Sequence, residues 1–144
     1  MRIVMENPTI VLGIDLMDQD HLRLERMFEG MAQASDEDLP ALRREIAMEL
    51  AAHFAREEEF MRDQQFPGLH CHVAQHNALK AELARDQDQK SESAILRRRW
   101  AVVLPQLILS HVATMDRMIV AFLNGELGEA HFDALRLPKP EPAA

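Results

Sequence analysis

Side chains that commonly bind metals recur at helical spacings along this chain, as three pairs and one single histidine. They are His53–Glu57, His72–His76, His111–Asp116 and His21. All seven fall at positions where the surrounding helical pattern predicts apolar residues. Burying so many polar groups without partners would cost several kcal/mol each in the worst case. A bound metal removes most of that cost, so the pattern indicates a metal centre inside a small domain.

The spacing within each pair decides which side chains can reach one point. Residues four apart on an α-helix are neighbours on one face, so each of the first two pairs can converge on a single ion. The five-residue spacing of His111 and Asp116 adds a rotation of about 140° beyond a full turn, at about 100° per residue. These two side chains need not reach the same atom, and a carboxylate bridging two metals would suit that offset.

Each pair taken alone has an ordinary alternative. A lone H-x3-E pair is usually on the surface, H-x3-H is more often accidental than metal-binding, and His21 alone would be a core or surface histidine. The joint placement of all seven on the apolar stripes of four predicted helices is much harder to explain by chance. We therefore treat them as one constellation.

The ligand types and their number restrict the metal. Imidazole with carboxylate suits iron, zinc, copper or nickel, and the absence of ligand thiolates weakens structural zinc and iron–sulfur alternatives. Seven protein ligands are too many for one ion and natural for two. Five imidazoles, two bridging carboxylates and one solvent-derived bridge give about eleven bonds, whereas two six-coordinate irons offer about twelve positions. One vacancy admits a diatomic such as O2 but leaves little room for oxidising an organic substrate.

Four amphipathic helices should position these side chains, because apolar residues recur in steps of three and four. We expect them over about residues 18–34, from the acidic link 35–38 to about residue 65, and over about 69–89 and 93–123. The apolar stripe of the fourth consists of Trp100, Leu104, Leu107, Ile108, Met115, Ile119 and Phe122. Pro105 lies inside that helix and should kink it or remove a backbone hydrogen bond. Short connections favour an all-α, antiparallel up-down-up-down four-helix bundle.

A chain of 144 residues is long enough for one domain, and the remaining segments lie on either side of it in sequence. Residues 1–17 are predicted to form an irregular N-terminal arm and residues 18–124 the bundle. Residues 125–144 are predicted to form a C-terminal tail with one short helix near 129–135.

The composition restricts the possible binding partners and the cellular location of the protein. The formal net charge of −8 argues against nucleic acid, whose binding needs clustered Lys and Arg. No uninterrupted apolar run approaches the length that spans a membrane, and the first residues lack a secretory signal pattern. Cys71 is the only cysteine, so no internal disulfide can form. We expect a cytoplasmic protein without membrane insertion, whereas its protein partner and oligomeric state do not follow from the sequence.

The sequence resembles the hemerythrins, and specifically the single-domain bacterial ones, over roughly residues 12–123. The matching stretches are Gly13-Ile14 leading to Asp18-Gln19-Asp20-His21, His53-Phe54-x-x-Glu57-Glu58 with Met61, Phe66-Pro67 ahead of His72-x3-His76, and His111-Val112-x3-Asp116. All seven ligand types of the family are present in order, which makes the match highly specific.

The resemblance implies a four-helix bundle with a non-haem di-iron centre that binds O2 reversibly. Carried over to this chain, the ligands of one iron would be His72, His76 and His111. Those of the other iron would be His21 and His53, with the vacancy for O2 beside them. The bridges would be Glu57, Asp116 and an oxo or hydroxo group.

The chain departs from the family pattern at several positions. The family usually has Trp-Leu where this chain has Leu107-Ile108, often an aromatic residue at Ile119, and commonly Gln at Asp20. Pro105 is also unusual. Residues that could line the O2 pocket are Leu24, Phe54, Ile108, Val112 and Ile119, and a plain bundle core explains them equally well. These departures alter the pocket wall, so the resemblance does not give the O2 affinity or the autoxidation rate.

Three functions compete on this basis. The first is O2 binding for storage, transport and delivery, or scavenging, without enzymatic turnover. The second is a sensing module in which O2 or redox state changes the surface that a protein partner binds. The third is an enzyme that consumes peroxide or nitric oxide at the same di-iron site. The sequence shows no attached signalling domain, which favours the first.

Overall fold

The fold is known from a computed structural model, which describes residues 11–88, 93–128 and 131–132. Within these ranges the chain is helical and contains no strand, as the all-α prediction requires. Four helices account for most of it, and they are α1 (Asp15–Gln33), α2 (Leu39–Asp63), α3 (Leu69–Asp88) and α4 (Ser93–Leu123). α1 packs against α2 and α4, and α2 also packs against α3.

Two apolar clusters form the core. One contains Phe54 and Trp100, and the other contains Phe66, Ile119 and Phe132. Side chains of both clusters contact the histidines described below, so the polar residues lie between two water-free regions. Burying these apolar side chains supplies the main driving force for folding.

The residues of the predicted stripes are buried or partly buried, with one exception on α4. Leu107 was placed on the apolar stripe, but its side chain is 41% exposed. On an α-helix the buried Leu104 and His111 and the half-buried Ile108 define one face, and Leu107 lies beside that face. It lines a surface cavity of about 340 Å³ between α3 and α4, next to His111.

The start of α1 is stabilised by a side chain of its own first turn. α1 begins at Asp15, three residues before the predicted start. The carboxylate of Asp18 accepts hydrogen bonds from the backbone N–H groups of Leu12 and Gly13, at 2.8 and 3.0 Å. These bonds fold the preceding loop back onto the first turn, where acidic side chains also favour the positive end of the helix dipole.

The turn between α2 and α3 requires a glycine. A Cβ at Gly68 would lie 2.8 Å from the ring of Phe66 and 2.9 Å from that of Phe132. Both rings belong to one apolar cluster, so the backbone of this turn approaches the core more closely than any side chain would allow. The Phe66-Pro67-Gly68 break predicted from the sequence is confirmed.

Two π-helical turns interrupt α4. The first, Arg99–Val103, closes with the N–H of Leu104 bonded to the carbonyl of Arg99, five residues back. It directly precedes Pro105, the residue expected to disturb the helix. An inserted residue of this kind is one known means by which a helix adjusts around a perturbation without ending. The second turn, Val112–Asp116, belongs to the metal centre.

α4 is long and apolar enough to cross a membrane by length and composition alone. In this fold its buried face carries Trp100, Leu104 and Ile119 together with the polar His111 and Asp116. An apolar helix that packs on α1 and encloses polar groups has the character of a core helix, so its composition needs no bilayer as an explanation.

The end of α4 occurs where Asn124-Gly125 predicts it. Gly125 adopts a φ of 75°, and the N–H of Glu126 bonds to the carbonyl of Ala121, which satisfies a free carbonyl of the last turn. Beyond it, Phe132 is fully buried. The short helix predicted near 129–135 falls outside the described residues except at 131–132, and most of the predicted arm, residues 1–10, also falls outside them.

Candidate metal centre

All seven predicted side chains are buried and lie together. Their exposed fractions run from 0% to 7%, and they are His21, His53, Glu57, His72, His76, His111 and Asp116. α1 supplies one of them, α2 two, α3 two and α4 two, so the cluster lies at the centre of the four helices. The two other histidines, His70 and His131, are exposed.

Three histidines form one half of the cluster, which we call the three-histidine group: His72, His76 and His111. The Nε2 atom of His111 lies 3.1 Å from Nε2 of both His72 and His76. One potential ligand atom from each, with one oxygen each from Glu57 and Asp116, lie within 4.8 Å of one another. Three imidazole nitrogens that converge on one small volume are suited to a shared cation.

The second half, the two-histidine group, consists of His21 and His53. Their rings meet edge to face with centroids 4.9 Å apart. One nitrogen from each, with one oxygen each from Glu57 and Asp116, forms a second set within 4.8 Å. The same two carboxylates therefore belong to both groups.

Glu57 turns its two oxygens towards different histidine groups. Its Oε1 lies 2.7 Å from Nε2 of His72 and 3.2 Å from Nε2 of His76. Its Oε2 lies 3.3 Å from Nε2 of His53.

Asp116 divides its oxygens in the same way. Its Oδ1 lies 3.0 Å from Nε2 of both His72 and His111, whereas its Oδ2 lies 3.2 Å from Nε2 of His21. Each carboxylate thus joins the two groups, as a bridging ligand would.

The second π turn explains how Asp116 reaches this position. On a regular α-helix the five-residue spacing would carry Asp116 about 140° away from His111. Within Val112–Asp116 the backbone instead bonds five residues back, with the N–H of Arg117 on the carbonyl of Val112. The sequence predicted only that His111 and Asp116 need not reach the same atom. The π turn places residues five apart on one face, so both side chains approach His72.

Three of the site histidines have an outer partner at Nδ1. Asp20 lies 3.0 Å from His53, Glu58 lies 3.3 Å from His76, and the Gln75 side-chain oxygen accepts from His111. Such outer hydrogen bonds fix the ring orientation and leave Nε2 free to bind a metal. Asp20 and Glu58 lie in the stretches that resemble the hemerythrins, but neither was predicted to have this role, and Gln75 was not singled out.

A family model described as the hemerythrin HHE cation binding domain matches residues 12–123 of this chain. The chain belongs to the hemerythrin family. The matched range coincides with the range of the resemblance found in the motifs, which is thereby confirmed.

Named relatives agree with the family. The chain is 29% identical over 125 residues to a bacteriohemerythrin of Ralstonia nicotianae, an alignment that covers 85% of this chain and 90% of the relative. It is 24% identical over 119 residues to a bacteriohemerythrin of Campylobacter jejuni, covering 78% of this chain and 90% of that protein. No solved structure matches the chain.

The ionisation of the hemerythrin cluster reflects a balance of burial and pairing. Burial raises the pKa of Asp116, but the close imidazoles of His111, His21 and His72 outweigh it and bring the pKa to about 2. Burial lowers the pKa of His111, but bonds to Asp116 and Glu57 overcome that effect and raise it to about 9. The pKa of His76 is lowered, chiefly by burial. Without a metal, the site therefore holds protons between its carboxylates and imidazoles.

Several buried atoms of the cluster lack hydrogen bonds to any part of the chain that the structure describes. They are Nδ1 and Nε2 of His21, Nδ1 of His72, Oε2 of Glu57 and both carboxylate oxygens of Asp116. Neighbouring nitrogen and oxygen atoms lie close to several of them without forming hydrogen bonds. Buried polar groups without partners are rare and require an explanation, of which a bound ion is one. Imidazole with carboxylate, buried and without thiolate, suits non-haem iron.

The residues expected to line an O2 pocket differ in how deeply they are buried. Leu24, Phe54, Val112 and Ile119 are buried, and Ile108 is half-buried. Phe54 stacks on His76 with ring centroids 3.9 Å apart. It also approaches His53 and His111, at 5.7 and 5.9 Å, so it contacts both histidine groups. The role of these residues as an O2 pocket stays a prediction.

Proposed function

We propose that this chain binds O2 reversibly at two non-haem iron ions, for oxygen storage, delivery or scavenging. The observation that carries the proposal is the division of the carboxylate oxygens of Glu57 and Asp116 between two histidine groups. A single ion would need only one of these groups. Two groups joined by two carboxylates fit two ions that share them.

The chain's own residues would hold the ions unequally. The three-histidine group offers three nitrogens, and the two-histidine group offers two, while the carboxylates contribute one oxygen to each. The ion beside His21 and His53 would therefore have the lower number of protein ligands. When bound there, ferrous iron would supply electrons and a coordination position for O2.

Apolar side chains would protect the site. Phe54 and Leu24 belong to one core cluster and Ile119 to the other. Phe54 and Ile119 are 1% and 0% exposed, so little water reaches the cluster past them. Exclusion of water limits side reactions of a reactive centre. This arrangement supports O2 binding over turnover of a bulky organic substrate.

The remaining expectations complete the proposal. The links between helices that pack together, residues 34–38 and 64–68, are short, which supports an up-down-up-down bundle within residues 18–124. Residues 1–17 and 125–144 would be its arm and tail. A cytoplasmic location, the absence of membrane insertion and an unidentified protein partner stay predictions.

The test combines iron analysis with ultraviolet–visible spectra of the reduced protein before and after exposure to O2. We expect about two irons per chain, from the two ligand groups, and a ligand-to-metal absorption band that appears with O2 and disappears when O2 is removed. A protein with one zinc and no spectral response would contradict the proposal.

A matched pair of variants separates the site from the surface. His53→Ala should lose the response to O2, whereas His70→Ala, which changes an exposed histidine, should retain it. Rapid turnover of peroxide or nitric oxide would instead favour the enzyme hypothesis. A protein partner whose affinity changes with oxygenation would favour the sensing hypothesis.

A further inference from the structure

The ring of His53 has a different partner at each nitrogen. Its Nδ1 lies 3.0 Å from Oδ2 of Asp20, and its Nε2 lies 3.3 Å from Oε2 of Glu57. An ionised carboxylate accepts hydrogen bonds and cannot donate them, so Nδ1 must carry the proton in this contact. Nε2 of the neutral ring is then left with its lone pair directed into the cluster.

Asp20 is itself held in place. It is 4% exposed, and Nε of Arg56 donates to the same Oδ2 at 2.9 Å. The other end of that guanidinium donates to Glu49 at 3.0 Å, and Arg23 donates to Glu49 at 2.7 Å. Because the planar guanidinium of Arg56 joins two carboxylates, Asp20 cannot rotate away from His53 without breaking several charged hydrogen bonds.

This support is unequal between the two histidine groups. In the three-histidine group, His76 and His111 both have an outer partner. In the two-histidine group, Nδ1 of His21 has no hydrogen bond to any described residue, so His53 alone is held from outside. Precise orientation of that group therefore depends on a single contact.

We propose that Asp20, clamped by Arg56, is the positioning residue of the two-histidine group. It orients His53 towards Glu57 and thereby determines how tightly this group binds its metal ion, while the three-histidine group does not depend on it. The inference rests on the proposed function, because it assumes one ion at each group.

Anaerobic titration of metal-free protein with Co²⁺, followed by absorption spectra, tests this directly. Wild-type protein should bind two ions. Asp20→Ala should bind the first ion as wild type does and the second about 10–100-fold more weakly, the usual cost of losing an outer partner of a ligand. Asp20→Asn should lose less, because its amide oxygen can still accept from Nδ1 of His53. Circular dichroism should show wild-type helicity in both variants.

Two controls distinguish positioning from a general effect on packing. Glu58→Ala removes the outer partner of His76 and should weaken the ion of the three-histidine group instead. His21→Ala leaves only the three-histidine group intact. Adding Asp20→Ala to this variant should not change the affinity of the ion at the three-histidine group.

The outcomes separate the two claims. If wild-type protein binds two ions and Asp20→Ala also binds both with unchanged affinity, the positioning role of Asp20 is wrong while the di-metal site stands. Equal weakening of both ions in Asp20→Ala likewise overturns the positioning role. Wild-type protein that binds fewer than two ions overturns both the site and the inference.

Discussion

Single residues explain why this cluster needs a cation. Glu57 and Asp116 are 1% and 0% exposed, and they are surrounded by imidazoles that are themselves buried. The adjacent imidazoles lower the pKa of both carboxyls in spite of burial, so both stay ionised near neutral pH. In metal-free protein the compensating positive charge has to come from protons on histidines.

The binding of metal should therefore release protons. In metal-free protein His111 keeps its proton up to a pH of about 9, because Asp116 and Glu57 raise its pKa above the ordinary 6.5. A metal ion at Nε2 must displace that proton. We expect at least about one proton released per chain when Zn²⁺ binds at pH 7, and fewer at pH 9.5. Calorimetry in buffers of different ionisation enthalpy measures this number.

The same pKa values give the sign of the pH effect on stability. A raised pKa at His111 stabilises the metal-free fold fully below pH 6.5, and this contribution is lost as the pH rises through about 9. A lowered pKa at Asp116 stabilises it above pH 3.8, and this contribution is lost as the pH falls through about 2. No proton release at pH 7, or metal-free protein that becomes more stable from pH 7 to 9, would contradict the pairing described here.

Residue types and spacing were enough to predict all seven members of the cluster, because polar side chains on apolar stripes conflict with simple burial. The outer partners were not predictable in the same way. Glu58 and Gln75 lie among other polar residues on helices, and their contacts depend on how α2, α3 and α4 are placed in space. Nothing in the local sequence distinguishes them from solvated side chains.

At the level of elements, α4 is the unusual helix. It carries two π turns, one before Pro105 and one between His111 and Asp116. The second converts a five-residue spacing, unsuited to one face of an α-helix, into a pair that contacts the same histidine, His72. π turns are known to occur frequently at functional sites.

Removing one residue from the second π turn should be tolerated. Deleting Thr114 would leave His111 and Asp116 four residues apart, a spacing that a regular α-helix also places on one face. We expect this variant to keep its helicity and to bind two metal ions. Titration with Co²⁺ and circular dichroism would measure both.

Deleting Ser110 is the matched control, because it is also a small, exposed hydroxyl residue but belongs to a regular α-helical stretch. This deletion would rotate His111 by about 100° relative to Leu104 and remove it from the cluster. We expect its metal affinity to fall more than about 100-fold, beyond the cost of losing an outer partner. Equal tolerance of the two deletions would show that the π turn does not set the geometry.

Helix positions were largely predictable, since the apolar periodicity is interrupted at Phe66-Pro67-Gly68 and ends at Asn124-Gly125. The π turns were not, because an inserted residue leaves the pattern of residue types almost unchanged. The burial of Leu107 was also predicted incorrectly because residue types alone do not show how a helix is rotated. Its apolar side chain fits the stripe in sequence, but only the rotation of α4 against α3 shows that it faces a surface cavity beside His111.

For the whole molecule, the cluster is the place where all four helices meet. One apolar core cluster contacts it through Phe54 on His76, and the other through Phe66 near His72. Ions at this point would connect residues from all four helices. Because an unfolded chain cannot offer such a site, metal binding should contribute directly to the stability of the fold.

The most direct test of this account is a crystal structure of the iron-loaded protein with anomalous diffraction at the iron edge. We predict two iron peaks per chain, one at the three-histidine group and the other at His21 and His53. Glu57 and Asp116 should each contact both. One peak alone, or a carboxylate bound to a single iron, would contradict the central claim that these side chains form a shared di-iron site.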